Sequence, residues 1–201
     1  MNIIIAETAI DLVPDDWLTN PKIKKYYKKN KRKPIIDGSI HQHLLKSIPL
    51  ENRKDRPDIL HFSLLLASGY QKIIPNLKLF FSTKTQTFEV MPETKLPRSQ
   101  SRFNGILELL LSNQNKSPLI QNSNLPPLTV DNTILFSTKG RDLDPTDFQK
   151  SNFIFGGFAH GSFDDKKYSQ FQKVKLIDQP LELWTSLSLF LGNYNTYLNE
   201  L

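Results

Sequence analysis

The stretch FIFGGFAHGSF, residues 153–163, is an apolar run that gives way to three glycines, Gly156, Gly157 and Gly161. Its first residues predict a short buried strand and its glycines a loop at the strand's carboxyl end. No Gly-Lys-Ser/Thr follows, so this is not a P-loop. The glycines sit at positions one, two and six of the window, which is not the dinucleotide-binding spacing. Two uses remain open: a tight turn, or a place where backbone approaches a ligand closely.

Similar units flank it. NTILFSTKG (132–140) reads as a strand ending in a polar turn, and VKLIDQPLELW (174–184) as a strand entering a helix through Pro180. NIIIA (2–6) is a first strand, and LKLFFSTKTQTFEVM (77–91) predicts a hairpin around a Ser/Thr/Lys turn. Helices are expected over SIHQHLLKSI (39–48), capped by Ser39, and over SRFNGILELLLSN (101–113). RPDILHFSLLLASGY (56–70) is expected to start as a strand and turn helical near Leu64. The stretch 112–128, rich in Asn, Ser and Pro, predicts a loop with room for a short helix. Alternating strands and helices imply one α/β domain over residues 1–201, with a mainly parallel sheet, a small β-hairpin insertion around 77–91, and ligands at the carboxyl ends of strands.

Composition narrows the chemistry. The chain has no cysteine, which excludes disulfides, thiolate zinc sites, iron–sulfur clusters and cysteine nucleophiles, and suggests a cytoplasmic protein. The start MNIIIAETAIDLVP has no basic lead and meets Glu7 early, as a buried strand does and a signal peptide does not. The apolar run at 59–70 is too short for a bilayer, so no membrane is expected. His41 and His43 lie two apart on a helix, hence on different faces, and no metal site is expected. The net charge of +6 points to a polyanionic partner, most simply nucleic acid. KIKKYYKKNKRK (22–33) carries eight basic residues and no acidic one. It reads either as a solvated loop or as a phosphate-lining run in which Tyr26 and Tyr27 stack on bases.

Two further clusters bear on function. In Arg56–Pro57–Asp58 the proline favours an extended Arg56, and a carboxylate two residues on would hold the guanidinium in one orientation; a plain surface ion pair is the other reading. In KLPRSQSRF, Arg98 and Arg102 share a face if a helix begins near Ser99, and Lys95 joins them on the lead-in as an anion site. Phe103 and Trp184 read as core or interface, His61 as a satisfied core residue of a strand, and His160 as structural.

RPDILHFSLL, PETKLPRSQSRFNG, FGGFAHGSF and DQPLELWTSLS, in this order, resemble the nucleolar essential protein family of SPOUT-class rRNA methyltransferases. The resemblance covers nearly the whole chain, and the absence of a long N-terminal extension fits an archaeal-type member. It departs at Ala159, where relatives often have Pro, and near Ser162. The resemblance implies a trefoil-knotted α/β domain, a homodimer, and S-adenosyl-L-methionine as cofactor, held by Phe136, Gly156, Gly161 and the segment Leu176, Ile177, Asp178, Gln179, Pro180 and Leu181. It places Arg56, Lys95, Arg98 and Arg102 on small-subunit rRNA, with Asp58 bracing Arg56, and implies methylation of N1 of a pseudouridine in a hairpin loop. Arg56 and Asp58 would carry the chemistry. A non-catalytic assembly factor, or methyl transfer to another RNA position such as a ribose 2′-OH, are the alternatives.

Overall fold

The computed structural model describes residues 1–92, 95–114 and 118–200. Glu93 and Thr94 of the PETKL motif, residues 115–117 of the Asn-rich stretch, and Leu201 lie outside the described residues. In chain order the elements are β1 (Asn2–Ala6), α1 (Pro21–Asn30), α2 (Gly38–Leu45), α3 (Pro57–Tyr70), β2 (Lys78–Ser82), β3 (Thr87–Val90), α4 (Gln100–Leu111), β4 (Ile120–Asn122), β5 (Thr133–Asp142), β6 (Asn152–Gly156), α5 (Asp165–Tyr168), β7 (Gln172–Lys175) and α6 (Leu183–Asn199). The seven strands form one sheet in the order β4-β3-β2-β1-β6-β5-β7. Pairing is parallel from β2 through β1, β6 and β5 to β7, and antiparallel at β2–β3–β4. The hairpin read at 77–91 is β2–β3, and β2 lies within the main sheet beside β1.

Strand periodicity splits the core into two faces. Ile3, Ile5, Phe153 and Phe155 pack with α3, α4 and α6, while Ile4, Ala6 and Ile154 pack with Tyr168 and Phe171 on the other side. Central strands covered on both faces read as continuous apolar runs, as β1 and β6 do. A third cluster, Val13, Ile23, Ile36 and Leu45, seats α1 and α2.

Several local expectations are corrected. Residues 57–63 are helix, not strand. Pro57 occupies the first helical position, where its missing N–H costs nothing, Asp58 sits in the first turn, and the apolar run that follows is mostly buried, so its periodicity is silent. His61 is therefore a buried helical residue. The basic run is largely α1 rather than a loop, started by Pro21 and by the Asn20 side chain accepting from the Lys22 N–H. α2 is capped by Asp37 instead of Ser39. Pro180 precedes α6, whose N-cap is Glu182. The Asn-rich stretch holds the short strand β4.

The basic run is also less free than its composition suggests. Buried Glu108 on α4 accepts from Tyr26 Oη at 2.8 Å, Arg32 Nε at 2.9 Å and the Ile35 N–H at 3.3 Å. Burial and the bond to Glu108 push the Tyr26 phenol up to about 12. Tyr26 thus anchors α1, while Tyr27 stays exposed.

β5 does not end at its polar turn. Phe136 and Arg141 both face Val174 of β7, so residues 137–140 leave the ladder and the strand then resumes. Arg141 fixes the resumed part: its Nη1 and Nη2 donate to Asp147 at 2.8 and 2.6 Å, and the Asp144 N–H donates to the same carboxylate at 2.8 Å. Burial raises the Asp147 carboxyl, but the bonds from Arg141 and Asp144 and the Arg141 charge outweigh it, leaving it below its ordinary value. A depressed carboxyl contributes stability above its unfolded-state pKa, and that contribution is lost as pH falls through the folded value. Asp147→Asn is therefore expected to lower the midpoint of urea unfolding at pH 7. At pH 3 the gap to the unsubstituted chain should narrow. An undiminished gap at pH 3 would refute this account.

Candidate active site

At the carboxyl ends of β5, β6 and β7 lies an open cavity of about 760 Å³, within the range of small-molecule sites. Its apolar lining comes from Phe136, Phe155, Leu176 and Leu181, and its edges from Gly156, Gly161, Ile177, Gln179 and Pro180. Of the residues expected around the cofactor, Asp178 alone is outside the lining: it is exposed and accepts from Lys175 Nζ at 2.5 Å. The cavity also takes in residues the sequence reading passed over, among them Ser137–Lys139, Lys173, Lys175 and Glu182. One signal was available: Lys173 and Lys175 flank buried Val174, and residues two apart on a strand share a face.

Backbone chemistry sets the loops apart. Among the described residues, no backbone N–H of 158–163 or of 176–182 donates to a backbone carbonyl. These loops are exposed or half-buried, so their N–H groups face solvent or the cavity and can donate to a ligand there. Gly161 has φ of 96°, in the left-handed region where a side chain is strained. Glycine at 161 is thus what the loop's backbone requires, whether for a turn or for a ligand.

Arg56 reaches this cavity by a backbone relay. The Gly157 N–H donates to Ala6 at 2.7 Å, the Ala9 N–H to Gly157 at 2.8 Å, and the Arg56 N–H to Ala9 at 3.0 Å. Strand β1, the glycine loop and the start of α3 are thus fixed to one another. Arg56 Nε and Nη2 each donate to Asp58 at 2.8 Å, a bidentate pair. Asp58 sits in a helical first turn rather than in extended chain, yet makes the expected contact. The bond to Asp58 raises the Arg56 guanidinium further above its ordinary value, with smaller help from the charges of Asp58, Glu182 and Asp55. Burial pushes the Asp58 carboxyl up, but the Arg56 bond and charge and the helix-start N–H groups hold it below its ordinary value. Asp58 is therefore a carboxylate committed to a cation, which orients well and accepts protons poorly. Among the described residues, no other group hydrogen-bonds the Arg56 side chain, so Nη1 is available.

Lys95, Arg98 and Arg102 are exposed on the approach to α4 and are not in the cavity lining. Ser99 is the N-cap of α4, so Arg98 precedes the helix that carries Arg102. His160 lines the cavity and is exposed. Among the described residues no cluster of three or more His, Asp or Glu could hold a metal, and no helix is long and apolar enough to cross a membrane.

The EMG1/NEP1 methyltransferase family model matches residues 3–195. The chain belongs to the EMG1/NEP1 methyltransferase family. Among curated members, the ribosomal RNA small subunit methyltransferase Nep1 of Thermococcus kodakarensis is 30% identical over 98% of this chain and 99% of its own length. The Nep1 of Saccharolobus solfataricus is also 30% identical, over 98% of both chains. The crystal structure of Archaeoglobus fulgidus Nep1 bound to S-adenosylhomocysteine matches with a TM-score of 0.82, covering 98% of both chains at 22% identity. That likeness concerns the fold, and it fits the SPOUT-type α/β architecture described above.

Proposed function

We propose that this chain is an S-adenosyl-L-methionine-dependent methyltransferase that acts on N1 of a pseudouridine in a hairpin loop of small-subunit rRNA, in ribosome biogenesis. The observation that carries the reading is the Arg56 guanidinium, oriented by Asp58 and bordering the strand-end cavity. Family membership supports the reaction class, and the names of the relatives support the rRNA.

The cavity fits the cofactor. Its apolar floor suits a flat base, its free backbone donors suit polar edges, and its rim carries both signs of charge, Asp165 and Glu182 beside Lys139 and Lys173. Phe136, Gly156, Gly161, Leu176, Ile177, Gln179, Pro180 and Leu181 would hold it, with Asp178 bracing Lys175 from outside. S-adenosylmethionine, when bound, supplies an electrophilic methyl group on a positively charged sulfur. N1 of pseudouridine is not used in the glycosidic bond. As N1 took up the methyl carbon, the carbon–sulfur bond would break and leave a neutral thioether, the N1 proton would pass to solvent, and Arg56 would stabilise the negative charge that develops on the ring. Asp58 keeps the fork aimed.

Lys95, Arg98 and Arg102 would engage RNA phosphates and unstacked loop bases, with the target base turned out toward the cavity. The same reading includes a single knotted domain, a homodimer and a cytoplasmic location. Exposed Phe62 on α3 and Leu189 on α6 support the dimer.

The test is methyl transfer from labelled S-adenosylmethionine to two hairpins of the cognate loop sequence, one carrying pseudouridine and one uridine. Label on the pseudouridine hairpin alone is expected, since uridine's N1 is bonded to its sugar. Label on both would replace N1 with another base atom or the ribose. No label on either, with RNA and cofactor bound, would leave a non-catalytic assembly factor.

A further inference from the structure

A second cavity, of about 290 Å³, opens between α1, α2 and α4, and among the described residues it shares no lining residue with the first. Its volume is at the small end for ligand cavities. Ile23, Pro34, Ile35 and Ile40 make much of its surface apolar, and a few polar groups interrupt it. Glu108 is already met by Tyr26, Arg32 and the Ile35 N–H. Asp37 and Asn104 keep capacity: Asn104 Nδ2 donates to Asp37 Oδ2 at 3.3 Å, which leaves a second amide hydrogen and further lone pairs on the carboxylate. His41, 6% exposed, accepts the Asp37 N–H on Nδ1 at 3.0 Å, and its other ring nitrogen has no partner among the described residues.

Cations stand on both sides of the mouth. Lys22 lines the cavity, and Lys25 and Lys29 follow it on α1 at helical spacing. On α4, Ser101 lines the cavity and Arg102 is the next residue. All four cations are exposed, and none has an ion-pair partner among the described residues. The Gly38 N–H donates to the Asp55 carbonyl at 2.8 Å, which ties the α2 wall to the residue before Arg56.

We propose that this cavity takes one unstacked nucleobase of the RNA that reaches Arg56, with the neighbouring phosphates on Lys22, Lys25 and Lys29 of α1 and on Arg102 of α4. Apolar walls suit the faces of a base, and Asp37 and Asn104 offer an acceptor and a donor to its edge. A polyanion satisfies the unpaired cations, and an apolar peptide does not. That this RNA is the substrate hairpin rests on the function proposed above.

The experiment measures Kd for the pseudouridine hairpin and for copies made abasic at each other loop nucleotide in turn. Ser101 is exposed, so Ser101→Leu narrows the mouth without touching the core. With the unsubstituted chain, one abasic position is expected to weaken binding about tenfold, the scale of one stacked base. Ser101→Leu should bind the intact hairpin about tenfold more weakly, and loss of that same base should then cost nothing further. No sensitive position, or an equal loss in both chains, would overturn the pocket. Lys25→Gln, on the exposed face of α1, should lower the slope of log affinity against log salt by about one; an unchanged slope would remove α1 from the RNA path. Binding without methylation would defeat the reaction assigned above and leave the pocket to be decided by the Kd values. Methylation without the coupling would defeat the pocket alone.

Discussion

Arg56→Lys lowers the single-turnover rate of methyl transfer to the pseudouridine hairpin by about 10²-fold or more, the usual cost of losing one preorganised donor to a developing anion. Lysine keeps the positive charge but has a single rotatable ammonium in place of the planar fork. It cannot hold Asp58 through two bonds and still offer a fixed third N–H toward the base. Cofactor affinity, measured by calorimetry, should stay close to that of the unsubstituted chain, because the cavity is built mainly from β5–β7 and their loops. Asp58→Asn should cost less, roughly tenfold, since an amide can still accept one of the two bonds that now orient the guanidinium. Near-normal turnover in Asp58→Asn would remove both an orienting and a proton-accepting role for Asp58. Full activity in Arg56→Lys would place the charge-stabilising group elsewhere.

Gly140→Ala is expected to lose about 3 kcal/mol of stability, the upper end for overpacking, and roughly 10 °C in Tm for a chain of this size. A β-carbon at Gly140 would lie 2.5 Å from the Lys173 carbonyl carbon and 2.6 Å from its oxygen, and against the Val174 nitrogen. All three atoms are backbone, so no rotamer change relieves the overlap. β5 and β7 would have to separate where residues 137–140 leave the ladder. Ser137, Thr138 and Lys139 line the cavity, so cofactor affinity should fall together with stability. Gly69→Ala is the matched control. It lies within α3 with nothing within 4 Å of the added carbon. Alanine's better helix propensity should make it neutral or stabilising by about 0.5–1 kcal/mol. Thermal melts and cofactor titrations on the two variants separate crowding from a general dislike of alanine. Equal, small effects at both positions would refute the close approach at Gly140.

Much of the candidate site's geometry was legible along the chain because its parts are local. Apolar runs at 2–6 and 152–156 became the paired central strands β1 and β6, the glycine loop fell at the end of β6, and Pro57 beside Arg56 and Asp58 kept the ion pair together. Where the reading failed, local pattern was silent or misleading. A run as buried as 57–67 has no alternation to tell helix from strand. Charge density at 22–33 suggested a loop, yet one buried residue, Ile23, and the pull of Glu108 from a distant helix were enough to seat a helix there.

The sequence by itself determined the apolar strands at the centre of the sheet, the hairpin over 77–91 and the helix that follows Ser99, and it set a glycine loop at the end of β6 and Arg56 beside Asp58. It did so because strand alternation, glycine freedom and proline restriction act over a few residues. The tertiary structure alone decided that residues 137–140 would leave β5, that Asp178 would turn outward, and that His61 would meet Pro97 and Gln100 across 36 and 39 residues. Those outcomes depend on which elements become neighbours, and hydrogen bonds between distant segments form only after the sheet and its helices have fixed their separation.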